Sequence, residues 1–167
     1  MSNKYVTSGY ARFEDDHYPT IDPRCMKALL SGWDIPFPAL DPFCSSPETG
    51  LAPAQVGDLR DASQYRSVVT NPPYARNIVN DLVSQCVDKV KSGDVEVAAL
   101  LMRLQWDCAK SRVALFESPF ACSLRLLFRP YWLTERKSSP IHNYQWLIWD
   151  NRWEGPPTIR HIGVSND

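Results

Sequence analysis

A β-branched run that stops at a rigid double-proline turn constrains this chain more than any other feature. Val68-Val69-Thr70 runs into Asn71-Pro72-Pro73, and Tyr74 follows before a long helical pattern begins. Strand, rigid polar turn and helix in that order describe an open α/β sheet. In such sheets the ligand site lies beyond the carboxyl ends of the strands. The residue before a proline is kept out of the helical region, so Pro72 and Pro73 stiffen the backbone around Asn71. The turn holds an amide, a carbonyl and an aromatic ring in one fixed arrangement.

The flanking sequence supplies the rest of such a sheet. Ala75, Ile78, Val79, Leu82, Val83, Cys86, Val87 and Val90 form one apolar stripe and predict a helix over 75–90. Lys89 and Lys91 suit its carboxyl end, and Gly93 suits the position just beyond it. Val95 to Met102 is nearly all apolar, the pattern of a strand covered on both faces. A short helix over Gln105–Phe116 is expected, then strands at Leu124–Phe128 and Tyr144–Trp149 and a short returning strand at Ile159–Ile162. Toward the amino end, Asp22 reads as a helix N-cap with Pro23 at the first helical position, in a helix ending near Gly32. Ile35–Leu40 is expected to be the first strand. Pro36 and Pro38 each remove a ladder donor, which argues for a sheet edge or a degraded strand. Residues 41–57 read as loop and Asp58–Gln64 as a polar approach to the Val68 strand. Residues 1–16 read as a flexible polar segment, and 17–167 as a single domain.

Composition narrows the function classes. Hydrophobic residues make up 44% of the 167 and charged residues 22%, which is globular rather than disordered. A formal net charge of -1 supplies no global field toward nucleic acid, so DNA binding needs a local basic face. The five cysteines form no CxxC pair and are odd in number, which suggests buried thiols in a reducing compartment. The three histidines are scattered, and no metal site is expected. No apolar run approaches the roughly 20 residues of a membrane span, so no membrane role is expected.

The turn has a chemistry of its own. An exocyclic amine on a nucleobase is a poor nucleophile because its lone pair is delocalised into the ring. Two fixed acceptors on its hydrogens draw electron density back onto nitrogen. The Asn71 side-chain oxygen and the Pro72 carbonyl would be those acceptors, with Tyr74 stacking on an extruded base. Adenine N6 and cytosine N4 fit this chemistry almost equally. Two plainer readings stand beside it. In one, the turn is rigid and Tyr74 packs into the core. In the other, Pro72-Pro73-Tyr74 is a docking peptide, against which the flanking strand and amphipathic helix argue.

VVTNPPY resembles the Asp/Asn/Ser-Pro-Pro-Tyr/Phe signature of amino-methyltransferases that modify DNA. More narrowly, the chain resembles phage and prophage adenine-N6 DNA methyltransferases. Tyr18-Pro19-Thr20 is similar to the family's Tyr-Pro-Thr segment near the methionine end of S-adenosylmethionine. LLMRLQWDCAKSR, Leu100 to Arg112, resembles the strand and helix after the catalytic turn, and LLFRPYWL and NYQWLIWD resemble the last two strands. The resemblance implies a Rossmann-like, mostly parallel sheet with an antiparallel C-terminal strand. It implies transfer of a methyl group from S-adenosylmethionine to adenine N6 in double-stranded DNA. It further implies a phage-encoded protein in the cytoplasm of its host cell. Asn71, Pro72, Pro73 and Tyr74 would be catalytic.

The cofactor half departs from the family. Asp41 and Pro42 stand where the first strand normally ends, but Ser45, Ser46 and Pro47 replace the glycines that let backbone approach the cofactor. The interval from Asp41 to Asn71 leaves almost no room for the family's further helix and its strand with a ribose-binding acid. The sheet is therefore expected to be trimmed, with a weak, rebuilt or absent S-adenosylmethionine pocket whose candidate residues are Tyr18, Pro19, Thr20, Asp41, Pro42 and Asp58, the plainer reading of Asp58 being a solvated turn acid. A partner chain, or a second copy, would cover the open sheet edge. Arg125, Arg129, Arg136 and Lys137 outnumber Glu135 near the family's DNA-facing loop. With Trp132 they form a candidate DNA contact, whereas the plainer reading is solvated surface and a core tryptophan. Two alternative functions remain: a catalytically inactive derivative that binds DNA or a partner protein, and an enzyme acting on S-adenosylmethionine or another small substrate.

Overall fold

A computed structural model of the chain describes residues 20, 22–44, 51–75, 78–117, 119–132 and 141–164. Its centre is one sheet of seven strands: β1 (Ala39–Asp41), β2 (Gln55–Val56), β3 (Ser67–Thr70), β4 (Val97–Arg103), β5 (Phe120–Leu126), β6 (Tyr144–Asp150) and β7 (Thr158–Ile162). Their spatial order is β2-β1-β3-β4-β6-β5-β7. Strand β6 runs antiparallel to both its neighbours, and all other strands run one way, so the antiparallel strand is β6 and not, as expected, the C-terminal one, which is β7. The Val68, Val95, Leu124 and Tyr144 segments thus lie in one sheet, as their apolar runs predict. No helix among the described residues is long and apolar enough to cross a membrane.

Helices α1 (Pro23–Gly32) and α2 (Val79–Lys91) cover opposite faces. Trp146 donates its indole N–H to the Cys25 carbonyl under α1 at 3.0 Å, and Trp149, on the other face, donates to the Leu115 carbonyl. Both indoles are fully buried. A buried indole needs such a partner, and here the two tie α1 and the 110–116 segment to the sheet. Val79, Val83, Cys86, Val87 and Val90 carry the buried stripe of α2, with Gly93 just past its end at φ +82. Cys25, Cys86 and Cys122 are buried, but Cys108 is exposed, so the expectation of buried thiols does not extend to it.

Asp22 caps α1 as its sequence predicts, accepting the Arg24 backbone N–H at 3.1 Å. The carboxylate also takes the Arg24 guanidinium at 2.8 Å and the Tyr131 N–H at 3.2 Å, joining helix to distant loop. Asp22→Ala removes the cap and orphans the loop donor. It should lower the unfolding free energy by about 1–3 kcal/mol in urea titrations, and a change within experimental scatter would refute this role.

Four expectations need correction. The first strand covers only Ala39–Asp41 rather than 35–40, because Pro36 and Pro38 lie before it and act as acceptors; at three residues and one place in from the edge, it is the short, near-edge strand their missing donors predict. The two proline carbonyls receive the Ser67 hydroxyl and the Arg66 N–H, each at 2.8 Å. The 41–57 stretch is not all loop, since β2 pairs parallel to β1; no crossover helix occurs there among the described residues. The α2 helix begins at Val79, after a turn closed by the Ile78 N–H on the Ala75 carbonyl. The 105–116 segment is two 3-10 helices, Trp106–Cys108 and Lys110–Phe116, separated by Ala109 in extended conformation and preceded by Gln105 at φ 74. A non-glycine residue in that left-handed region does not propagate an α-helix.

Candidate functional site

The chain leaves β1 toward β2 on one side, while β3 lies on the other. The gap beyond the carboxyl ends of β1 and β3 is therefore the topological switch point of the sheet, where ligands of open α/β folds bind. Asp41 ends β1 and Asn71 follows β3 directly. Thr70 joins them, donating its hydroxyl to Asp41 Oδ1 at 2.6 Å, and the Leu51 N–H reaches Asp41 Oδ2 at 3.4 Å. Burial pushes the Asp41 carboxyl above its usual range, against hydrogen bonds from Thr70 and from the Leu51 and Phe43 backbone. Asp41 thus ties β1 to Thr70 and Leu51 from inside, and Pro42 behind it is half-buried.

An amine-binding turn with Tyr74 stacking on the base requires Asn71 to face a cleft with Tyr74 on its rim. Instead they are 5% and 7% exposed, and their polar ends meet. The Tyr74 hydroxyl donates toward Asn71 Oδ1 and lies 2.7 Å from the Leu101 carbonyl oxygen. Asn71 Nδ2 donates to Thr20 Oγ1 at 3.0 Å. A phenol has one proton, so Asn71 Oδ1 and the Leu101 carbonyl compete for it. An amide oxygen has two lone pairs, so the phenol does not exhaust Asn71 Oδ1 as an acceptor.

The Tyr74 ring is packed, tilted at 56° to Tyr144 with centroids 6.0 Å apart, and the Arg103 guanidinium sits 5.0 Å from its centre. It presents no open stacking face in this arrangement. Pro72 is buried and Pro73 half-buried.

The other candidates separate. Thr20, expected beside the cofactor, is bonded to Asn71; Tyr18 and Pro19 lie outside the described residues. Asp58 is exposed two positions beyond β2, on the same edge as Asp41 and Asn71. It caps the 3-10 helix Leu59–Gln64. Hydrogen bonds from Arg60 hold its carboxyl down at about 2. The expected loss of an acid-terminated second strand is therefore revised, because a two-residue strand remains with Asp58 near its end.

Among the basic residues, Arg129 is exposed and donates to Asn143 Oδ1 at 3.0 Å. Arg125 is half-buried, its Nε enclosed without a hydrogen-bond partner among the described residues. Arg136 and Lys137 lie outside the described residues. Trp132 is 5% exposed and stands edge-on to Tyr144 at 5.0 Å, so its ring packs rather than wedges. Sequence reading missed Arg103 and the Leu101 carbonyl. The signal was one cation closing the apolar run of β4 at the level where β3 turns. Comparisons with known proteins return no match, whether to a family model, a curated protein or a solved structure.

Proposed function

We propose that this chain is a shortened adenine-N6 DNA methyltransferase. The reading rests above all on the Asn-Pro-Pro-Tyr turn leaving β3 at the switch point, with the buried Asp41 beside it. The antiparallel β6 inside an otherwise parallel sheet supports it, since the resembled family has an antiparallel last main strand. S-adenosylmethionine, when bound, supplies the electrophilic methyl group. Asn71 Oδ1 and the Pro72 carbonyl accept hydrogen bonds from the adenine amine and hold its nitrogen in line, so that rate comes chiefly from positioning. Asp41 at the carboxyl end of β1 and the exposed carboxylate of Asp58 are the described residues that would meet a cofactor on this edge.

The mutual engagement of Asn71, Tyr74 and Thr20 favours a second reading, a catalytically silent derivative whose amine site is closed. Calorimetric titration with S-adenosylhomocysteine, paired with transfer of labelled methyl to duplex DNA, separates the two. The methyltransferase reading expects measurable binding, with label recovered as N6-methyladenine. No binding heat and no label would reject it in favour of the silent derivative.

A further inference from the structure

The end of the sheet opposite Asn71 carries a concavity. The carboxyl end of α1, the turn after β6 and strand β7 surround a cavity of about 680 Å³, lined by Leu30, Trp33, Asp150, Arg152, Trp153 and Arg160 among others. Its volume lies in the range of small-molecule sites. The floor is set by internal pairing. Asp150 accepts the Trp33 indole N–H at 3.0 Å and two guanidinium hydrogens of Arg152 at 2.9 and 2.8 Å. Arg152 also donates to Asp34 at 3.0 Å. These acids and Arg152 satisfy one another and leave little for a ligand.

Arg160 differs. Its guanidinium carbon lies 4.9 Å from the Trp33 ring centre and 6.0 Å from that of Trp153. The two indoles stand 5.3 Å apart at 55°, forming an aromatic wedge. Among the described residues the guanidinium makes one hydrogen bond, to the Gly32 carbonyl at 3.3 Å, and no carboxylate pairs with it. The remaining N–H groups form a fork suited to a carboxylate. The surroundings select against a polyanion. The Asp34 side chain is 88% exposed on the rim, and the last carbonyls of α1 add negative potential. A nucleic-acid backbone would meet both.

We propose that this cavity is a binding site for a small organic carboxylate with a flat apolar body. The Arg160 fork takes the carboxylate, and Trp153 and Leu30 take the body. The site is separate from the Asn71 edge and does not rest on the methyl-transfer reading. The plainer role of Arg160, capping the end of α1, predicts an effect on stability and none on binding.

The test titrates phenylacetate into the full-length protein, following the indole N–H signals of Trp33 and Trp153 by NMR. Acetate and 2-phenylethylamine run in parallel. Saturable shifts of both signals with phenylacetate are expected, with acetate and the amine at least roughly tenfold weaker. Arg160→Gln should weaken phenylacetate by about tenfold or more, the size of one charge-assisted hydrogen bond. The remaining tryptophan signals report that the variant is folded, and Arg160→Lys should restore part of the binding. Three results would overturn the proposal: no saturable shift, an equal response to the amine, or a folded Arg160→Gln that titrates like the parent.

Discussion

Asp150→Ala will destabilise the fold by about 2–4 kcal/mol, because it removes a buried carboxylate that takes a buried indole N–H and a half-buried guanidinium, hydrogen bonds to a charged group being worth about 1.5–3 kcal/mol each. That is a large share of the roughly 5–15 kcal/mol that holds a domain together. Asp150 is 3% exposed and ends β6. Its carboxylate takes the Trp33 indole, the Arg152 side chain and the Arg152 backbone N–H. Alanine leaves the indole N–H of a buried ring without its acceptor and Arg152 with Asp34 on an exposed rim. Asp150→Asn keeps the shape and one acceptor and should cost less.

The pH dependence has a definite sign. Burial pushes the Asp150 carboxyl up, but hydrogen bonds from Arg152 and Trp33 outweigh it and hold the carboxyl below the usual range. A depressed folded pKa means that the unfolded chain takes up its proton first as pH falls. The contribution is complete above the unfolded value of about 3.9 and is lost as pH falls through the lower folded value. Asp41 acts oppositely, because burial raises its folded pKa. It favours the folded state at low pH, and that contribution is lost as pH rises through the raised value. Urea titrations should show the parent losing stability below about pH 4, with a shallower acid limb for Asp150→Asn. A loss under about 1 kcal/mol for Asp150→Ala would mean that the pair is no better than an exposed one.

What could be read from the sequence was local. The Asp22-Pro23 start of α1, the stripe of α2 and the continuous apolar runs of β4 and β6 each carry their signal within a few neighbouring residues. Strand β2 does not, because Gln55-Val56 has no period and becomes a strand only by pairing with β1. The 105–116 segment has helical spacing, but Gln105 in the left-handed region and extended Ala109 divide it. The site shows the same limit. The position of Asn71 at a strand end was legible from Val68 to Tyr74, whereas its bond to Thr20 joins residues 51 positions apart. The cluster of Trp33, Asp150 and Arg160 spans longer separations still, and no sequence window contains it.

Asn71→Ala should lower methyl transfer by at least about 100-fold, the usual effect of removing one preorganised hydrogen-bonding group from a reacting centre. Its effect on stability should be small by comparison. The variant loses the hydrogen bonds to Thr20 and Tyr74, worth about 1–2 kcal/mol together, while the Tyr74 hydroxyl keeps the Leu101 carbonyl. Thr20→Val and Tyr74→Phe then test whether the amide is held from both ends. Thr20→Val removes the hydroxyl that receives Asn71 Nδ2, and Tyr74→Phe removes the phenol while sparing the ring. Each should slow transfer roughly tenfold, about 1.4 kcal/mol, with S-adenosylhomocysteine affinity unchanged, because neither touches the Asp41 loop. Thr20→Ser should restore the rate. Initial rates, binding titrations and melting temperatures on the four variants decide the matter. If Tyr74→Phe keeps the parental rate, the ring alone matters and the phenol does not orient Asn71. If Asn71→Ala unfolds as a core deletion does, the turn is a packing device, and the amide was never held for an amine.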